Sequence, residues 1–178
     1  MTPNDSSWPM TVANRFDNHL VGFALRHLGD LDRARDVVQD TFLALCQEDR
    51  ENIEDHLAAW LFTVCRNRCL DILRKEKRMS PLTSTTPTGP ECSAASPSEV
   101  VETREESARV LQVLRTLPPR QQEVLRLKLK HELSYKEIAR VVGISVSNVG
   151  YQIHVGLKTL RERLAAPGLG DAVVEETS

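Results

Sequence analysis

The residues best suited to chemistry in this chain gather in one stretch, Trp60 to Arg78, reading WLFTVCRNRCLDILRKEKR. At a helical advance of about 100° per residue, Trp60, Asn67, Asp71, Arg74, Lys75 and Arg78 share one face. Leu61, Phe62, Cys65, Cys69, Ile72 and Leu73 share the other. The polar face ends in a cationic cluster, Arg74, Lys75, Lys77 and Arg78, with an amide, a carboxylate and an indole upstream. A cationic helix end is favoured by the macrodipole with no ligand at all. Its combination with Asn67 and Trp60 adds a second reading, a face for a polyanion.

Covalent chemistry finds no support. The sequence shows no Ser/His/Asp or Cys/His constellation and no cluster of metal ligands. Cys46, Cys65, Cys69 and Cys92 form neither a Cys-x-x-Cys nor a set with paired histidines, so no zinc site and no disulfide framework is indicated. Cys65 and Cys69 read as small core residues, because an i, i+4 pair without third and fourth ligands is a poor metal site. No cofactor is expected, and enzyme function is the most distant reading.

The bulk numbers frame these residues. A chain of 178 residues with 40% hydrophobic content folds as one domain or two small ones. The net charge of −2 excludes a uniformly basic nucleic-acid coat. Basic residues nevertheless concentrate in 66–78 and 115–140, while acids balance them elsewhere. A locally positive surface on an acidic chain suits a protein that meets DNA with help from a larger partner. No run approaches a membrane span and the N-terminus lacks a signal-peptide layout, so a cytoplasmic protein without membrane insertion is expected.

Periodicity gives an all-α reading with no persuasive strand and no internal repeat. Residues 1–13 read as loose, with helix beginning near Asn14 or Arg15 and carrying Phe16, Leu20, Phe23, Ala24 and Leu28 until Gly29-Asp30. A second helix from about Asp32 buries Ala34, Val37, Val38, Thr41, Phe42 and Leu45 and turns Asp32, Asp36, Gln39, Asp40 and Leu43 outward. A leucine ringed by acids and a glutamine is either a partner surface or a solvated face with one stray apolar residue. Residues 47–56 form a loop or short helix ahead of the Trp60 stretch.

The composition then shifts to MSPLTSTTPTGPECSAASPSE, rich in Pro, Ser and Thr, which reads as a flexible linker. Helix resumes near Val101 with Val110, Leu111, Leu114 and Leu117 on one side and stops at Pro118-Pro119, where the second proline can open the next helix, to about Leu129. Ser134 followed by Glu137 is a capping-box signature, and Tyr135, Ile138, Ala139 and Val142 have core spacing. Gly143 ends that short helix. Ser145 or Ser147 caps a longer one whose buried set is Val149, Ile153, Leu157, Leu160 and Leu164. A short helix, a glycine turn and a longer helix make a helix-turn-helix, here expected to be winged-helix-like. Its outward residues Ser147, Asn148, Gly150, Tyr151, Gln152, His154 and Val155 include amides that can read adenine edges. Tyr and His there can bond phosphates or pack on thymine methyls. The rival reading is a protein-interaction module with Tyr151 and His154 solvated. The expected domains are 14–79, a linker 80–100, 101–165 and a disordered tail 166–178.

Laid out this way, the chain resembles a sigma-70-type RNA polymerase sigma factor of the extracytoplasmic-function (ECF) group. DRARDVVQDTFLAL, Asp32 to Leu45, is similar to the helix that docks on the clamp of the polymerase β′ subunit. AWLFTVCRNRCLDILRKEKR, Ala59 to Arg78, is similar to the strand-opening and minus-10 segment. LPPRQQEVLRL with LSYKEIARVVGISVSNV, Leu117 to Val149, is similar to the minus-35 reader. The resemblance covers about two thirds of the chain. It implies a polymerase contact at Asp36, Gln39, Asp40, Phe42 and Leu43, and a minus-10 face at Trp60, Asn67, Asp71, Arg74, Lys75 and Arg78. It implies a minus-35 face at Ser145, Ser147, Asn148, Tyr151, Gln152, His154 and Lys158.

The loop Glu51 to His56 would lie where such proteins pocket a flipped base. Implied partners are core RNA polymerase, through its β′ clamp and β flap, promoter DNA, and an anti-sigma protein of the kind common in the family. The chain departs from the family at Gly150, Gln152, Val155 and Leu157, which stand where cations are usual, and Gly150 and Gly156 each weaken a helix by up to about 1 kcal/mol relative to Ala. The main alternative is a polymerase-independent helix-turn-helix regulator, and an adaptor without a DNA role is a third class.

Overall fold

The computed structural model describes residues 7–79 and 101–165. They belong to two compact units divided between Ala94 and Ala95. The stretch 80–100, expected to be a linker, and the tail 166–178 lie outside the described residues, as does Cys92.

In the first unit α1 spans Trp8–Leu28, α2 Leu31–Gln47, α3 Arg50–Ile53, followed by a 3-10 turn Glu54–His56, and α4 Leu57–Met79. The first helix begins six residues ahead of the expected Asn14, and the reason is local. Pro9 sits in the first turn, where its fixed φ is already helical and its missing N–H leaves no orphan donor. Thr11 N–H donates to the Ser7 carbonyl at 3.0 Å, and Val12 is buried. Gly29, at φ 71°, closes α1 by donating to Leu25 O at 2.8 Å. Asp30 then caps α2, its carboxylate accepting from Arg33 N–H at 2.8 Å.

The core of this unit is Leu20, Phe23 and Ala24 from α1, Ala34, Val37, Val38 and Leu45 from α2, and Ala59, Leu61, Phe62, Cys65 and Cys69 from α4. Phe23 meets Phe62 edge to face, with ring centroids 5.2 Å apart. Thr41 is fully buried, and its hydroxyl is satisfied by donating to Val37 O at 2.8 Å. The Cys65 thiol is pushed well above its usual range by its hydrogen bond with Cys69 and by burial. That same bond favours charge on Cys69, against the pull of burial. Both side chains are fully buried and pack in the core.

In the second unit α5 spans Val101–Arg115, α6 Pro119–Leu129, α7 Tyr135–Val142 and α8 Val146–Ala165. The capping box forms at α7: Ser134 N–H donates to Glu137 Oε2 at 2.8 Å while Ser134 Oγ accepts from Glu137 N–H at 3.3 Å. Gly143, at φ 72°, ends α7, and both its N–H and that of Ile144 reach Ala139 O, at 2.9 and 3.2 Å. Ser145, not Ser147, caps α8 by accepting from Asn148 N–H at 3.2 Å. The described residues contain no strand, so the helix-turn-helix carries no wing among them.

One expectation about α8 is corrected. The buried row is Val149, Ile153, Gly156 and Leu160, while Leu157 and Leu164 are half-buried. Gly156 is the cause. A Cβ there would lie 2.7 Å from Leu125 Cδ1, so the missing side chain lets α8 press directly on α6 and turns the neighbouring Leu157 toward the border.

Candidate functional site

Three surfaces take the residues singled out from the sequence. The first is a groove of about 540 Å³ along α1 and α2, lined by Asp17, Asn18, Val21, Arg35, Val38, Gln39, Phe42, Leu43 and Cys46. Leu43 is 55% exposed and Phe42 half-buried, so Phe42 serves the groove wall as much as the core stripe in which it was placed. An apolar floor with a polar rim is the shape that accepts an amphipathic helix. Asp36 is exposed on α2. Asp40 is otherwise engaged, accepting from Arg68 of α4 at 3.1 Å. A second cross-link joins Arg33 of α2 to Glu76 of α4. The periodicity of α1 gives no hint of its share in the groove, because Asp17 and Asn18 look like any solvated pair.

The second surface is the outer face of α4. Asn67, Asp71, Arg74, Lys75 and Arg78 are all exposed there, and Trp60 is half-buried. Arg74 donates to Asp71 at 3.0 Å, which tempers its charge. Lys75 and Arg78 make no ion pair among the described residues, leaving positive charge at the helix end. Upstream, Ile53 is buried and anchors the segment Glu51 to His56, whose other members reach the surface. Arg50 bonds Glu54 at 2.5 Å and lies over the Trp8 ring at 5.4 Å. Sequence reading missed this brace because Trp8 fell in the stretch taken as loose. The signal available was Pro9, one residue into the helix.

The third surface is α8. Ser147, Tyr151, His154 and Lys158 recur at intervals of four, three and four, and all are exposed. Asn148 and Gln152 lie on the flank, half-buried, with Gln152 Nε2 donating to Asn148 Oδ1 at 3.2 Å. Ser145 is committed to its cap, and Lys158 stands 3.9 Å from Glu162. Val146, not singled out from the sequence, is 43% exposed in the first turn, three residues before buried Val149 and so between this face and the buried row. Tyr135 of α7 lies against Gly150 and under the Lys128 ammonium, which is 5.6 Å from the ring centroid.

Comparison with known proteins gives these surfaces a common frame. Residues 12–79 match the model of sigma-70 region 2, and residues 107–160 that of sigma-70 region 4. The chain is 32% identical over 161 residues to the ECF RNA polymerase sigma factor SigL of Mycobacterium tuberculosis, covering 86% of this chain and 89% of that protein. It is 27% identical over 163 residues to the ECF RNA polymerase sigma factor SigW of Bacillus subtilis, covering 86% and 87%.

Among solved structures, it is similar to CnrH in complex with the cytosolic domain of CnrY, with TM-score 0.57, 27% identity and coverage of 90% and 89%. The fold is also that of the sigma factor RpoE from Bartonella quintana, solved with the anti-sigma factor NepR, with TM-score 0.66, 20% identity and coverage of 91% and 99%. Two region matches in chain order, and a relative one-third identical along nearly its whole length, make this chain a member of the ECF RNA polymerase sigma factors.

Proposed function

We propose that the chain binds core RNA polymerase through the groove side of α2, recognises the minus-10 element and opens it with α4 and the preceding loop, and reads the minus-35 element with α8. The observation that carries this reading is the pairing of a region 2 match with a region 4 match, each over its own compact unit. The groove supports the docking part. Gln39, Phe42 and Leu43 line it together, and Leu43 is exposed without a packing role that would explain a leucine there. The uncompensated charge at the end of α4 supports the DNA part.

The match of residues 12–79 to sigma-70 region 2, beside the region 4 match, goes against a polymerase-independent regulator. No covalent step is asked of this chain, since RNA synthesis belongs to the polymerase. No helix among the described residues is long and apolar enough to cross a membrane. An anti-sigma protein is a further partner on this reading, supported by the complex in which the similar RpoE was solved.

The test is co-purification with core polymerase followed by promoter-dependent transcription. The triple variant Asp36→Ala, Gln39→Ala, Leu43→Ala alters exposed positions only, so its stability should stay within about 0.5 kcal/mol per site. Loss of polymerase binding with unchanged thermal unfolding is the expected outcome. Undiminished binding would sink the docking assignment.

A further inference from the structure

The exposed face of α8 is short of the groups that hold guanine. Val146, Ser147, Gly150, Tyr151 and His154 occupy its first two and a half turns, with no arginine or lysine before Lys158. Two of these residues are exposed apolar groups: Val146 at 43% and Tyr151 at 63%. Tyr151 has no packing reason to be there, because it lies opposite the buried row Val149, Ile153, Gly156 and Leu160, whereas Val146, three residues before Val149, stands at the exposed first-turn end of that row. Gly150, between them, adds no side chain. Beside it Tyr135 of α7, 40% exposed, brings a third apolar edge to the same side. On a helix that enters a major groove by its N-terminal half, such a surface has one good partner among base edges. The C5-methyl group of thymine is the apolar feature of that groove, and small apolar and aromatic side chains contact it.

We infer that α8 recognises its DNA element chiefly through thymine methyl groups, held by Val146 and Tyr151, and not through bidentate bonds to guanine. The inference rests on the proposed role of α8 as the minus-35 reader and names the chemistry of that reading. Ser147 and His154 supply polar contacts beside the methyls. Tyr135 packs its ring edge beside Gly150, next to these contacts. Amide reading of adenine by Asn148 and Gln152 is disfavoured by their place on the half-buried flank and by the bond between them.

Replacing thymine by uracil removes only the methyl and keeps the base pair, so it isolates this contact. Holoenzyme made from core polymerase and the full chain first selects its upstream element from a randomised duplex. Each thymine of the selected element, on either strand, is then changed to uracil and binding is measured. One or two positions should lose about threefold to tenfold in affinity, as expected for a fraction of a base-specific contact. The Tyr151→Ala and Val146→Ala holoenzymes, whose chains alter exposed positions, should bind thymine and uracil duplexes equally at those positions.

Indifference of the wild-type holoenzyme to uracil throughout a selected element overturns the inference while leaving the proposed function intact. So does a uracil penalty that survives undiminished in both variants. A wild-type chain that binds core polymerase yet selects no upstream element removes the reader role, and the inference with it.

Discussion

Helices α4 and α8 are each buried on one side and proposed to face DNA on the other, yet they carry opposite chemistry on the outer side. α4 ends in Arg74, Lys75, Lys77 and Arg78, all exposed. α8 shows Val146, Ser147, Tyr151 and His154 and reaches its first cation only at Lys158, which lies near Glu162. Phosphate contacts supply affinity and lose it with salt, whereas base-edge contacts supply sequence preference. The difference therefore points to a division of work. On the proposed reading α4 would provide grip, tempered by the Asp71 carboxylate beside Arg74, and α8 would provide discrimination with little charge behind it.

The buried sides differ as well, and there the largest effect is expected. α4 meets its neighbours through full-sized side chains such as Leu61 and Phe62, while α8 meets α6 through the absent side chain of Gly156. Gly156→Val forces branched carbons against Leu125, which is fully buried. Overpacking of this kind costs about 1–3 kcal/mol. Denaturant unfolding of the variant, followed at the second unit, should show that loss with the first unit unchanged. A variant as stable as wild type would mean the two helices are not held at this crossing.

The outer faces separate in salt. Arg74→Ala with Lys75→Ala should lower the salt slope of promoter binding by about two units, near one per lost phosphate contact. Tyr151→Ala should leave the slope alone and lower affinity by a salt-independent factor. Equal slopes for the double variant and wild type would reduce the end of α4 to a solvated tip. A changed slope for Tyr151→Ala would tie that phenol to a phosphate.

Legibility followed the same divide between local and tertiary causes. The caps and turns were readable because Ser134, Glu137, Gly143 and Gly29 act within their own few residues. So were the outer positions of α4, since a strong 3.6-residue period sorts them from the core without reference to a partner. What escaped depends on neighbours distant in sequence. The groove needs α1 and α2 together, and the Arg68 to Asp40 bond, which ties one carboxylate of the proposed docking set to α4, needs α4 against α2. Trp8 became visible only through Arg50. Gly156 looked like a weakness of the helix, because propensity is a property of one residue and the crossing with Leu125 is not.

The smallest effect is expected at the second glycine of α8, Gly150, whose surroundings are the opposite of those at Gly156. A Cβ built on Gly150 would lie 3.7 Å from Tyr135 Cε2, an ordinary contact, and the backbone there is helical. Gly150→Ala therefore meets no obstacle and removes the entropic penalty of glycine in a helix, a gain of up to about 1 kcal/mol. Gly156→Ala removes the same penalty but brings its Cβ to 2.7 Å from Leu125 Cδ1 and 3.3 Å from Leu125 Cγ, so the gain should be cancelled or reversed. Thermal unfolding of the two alanine variants side by side should move the second unit's midpoint up for position 150 and not for position 156. Equal upward shifts would mean that helix propensity alone governs both glycines and that the close crossing of α8 on α6 contributes nothing.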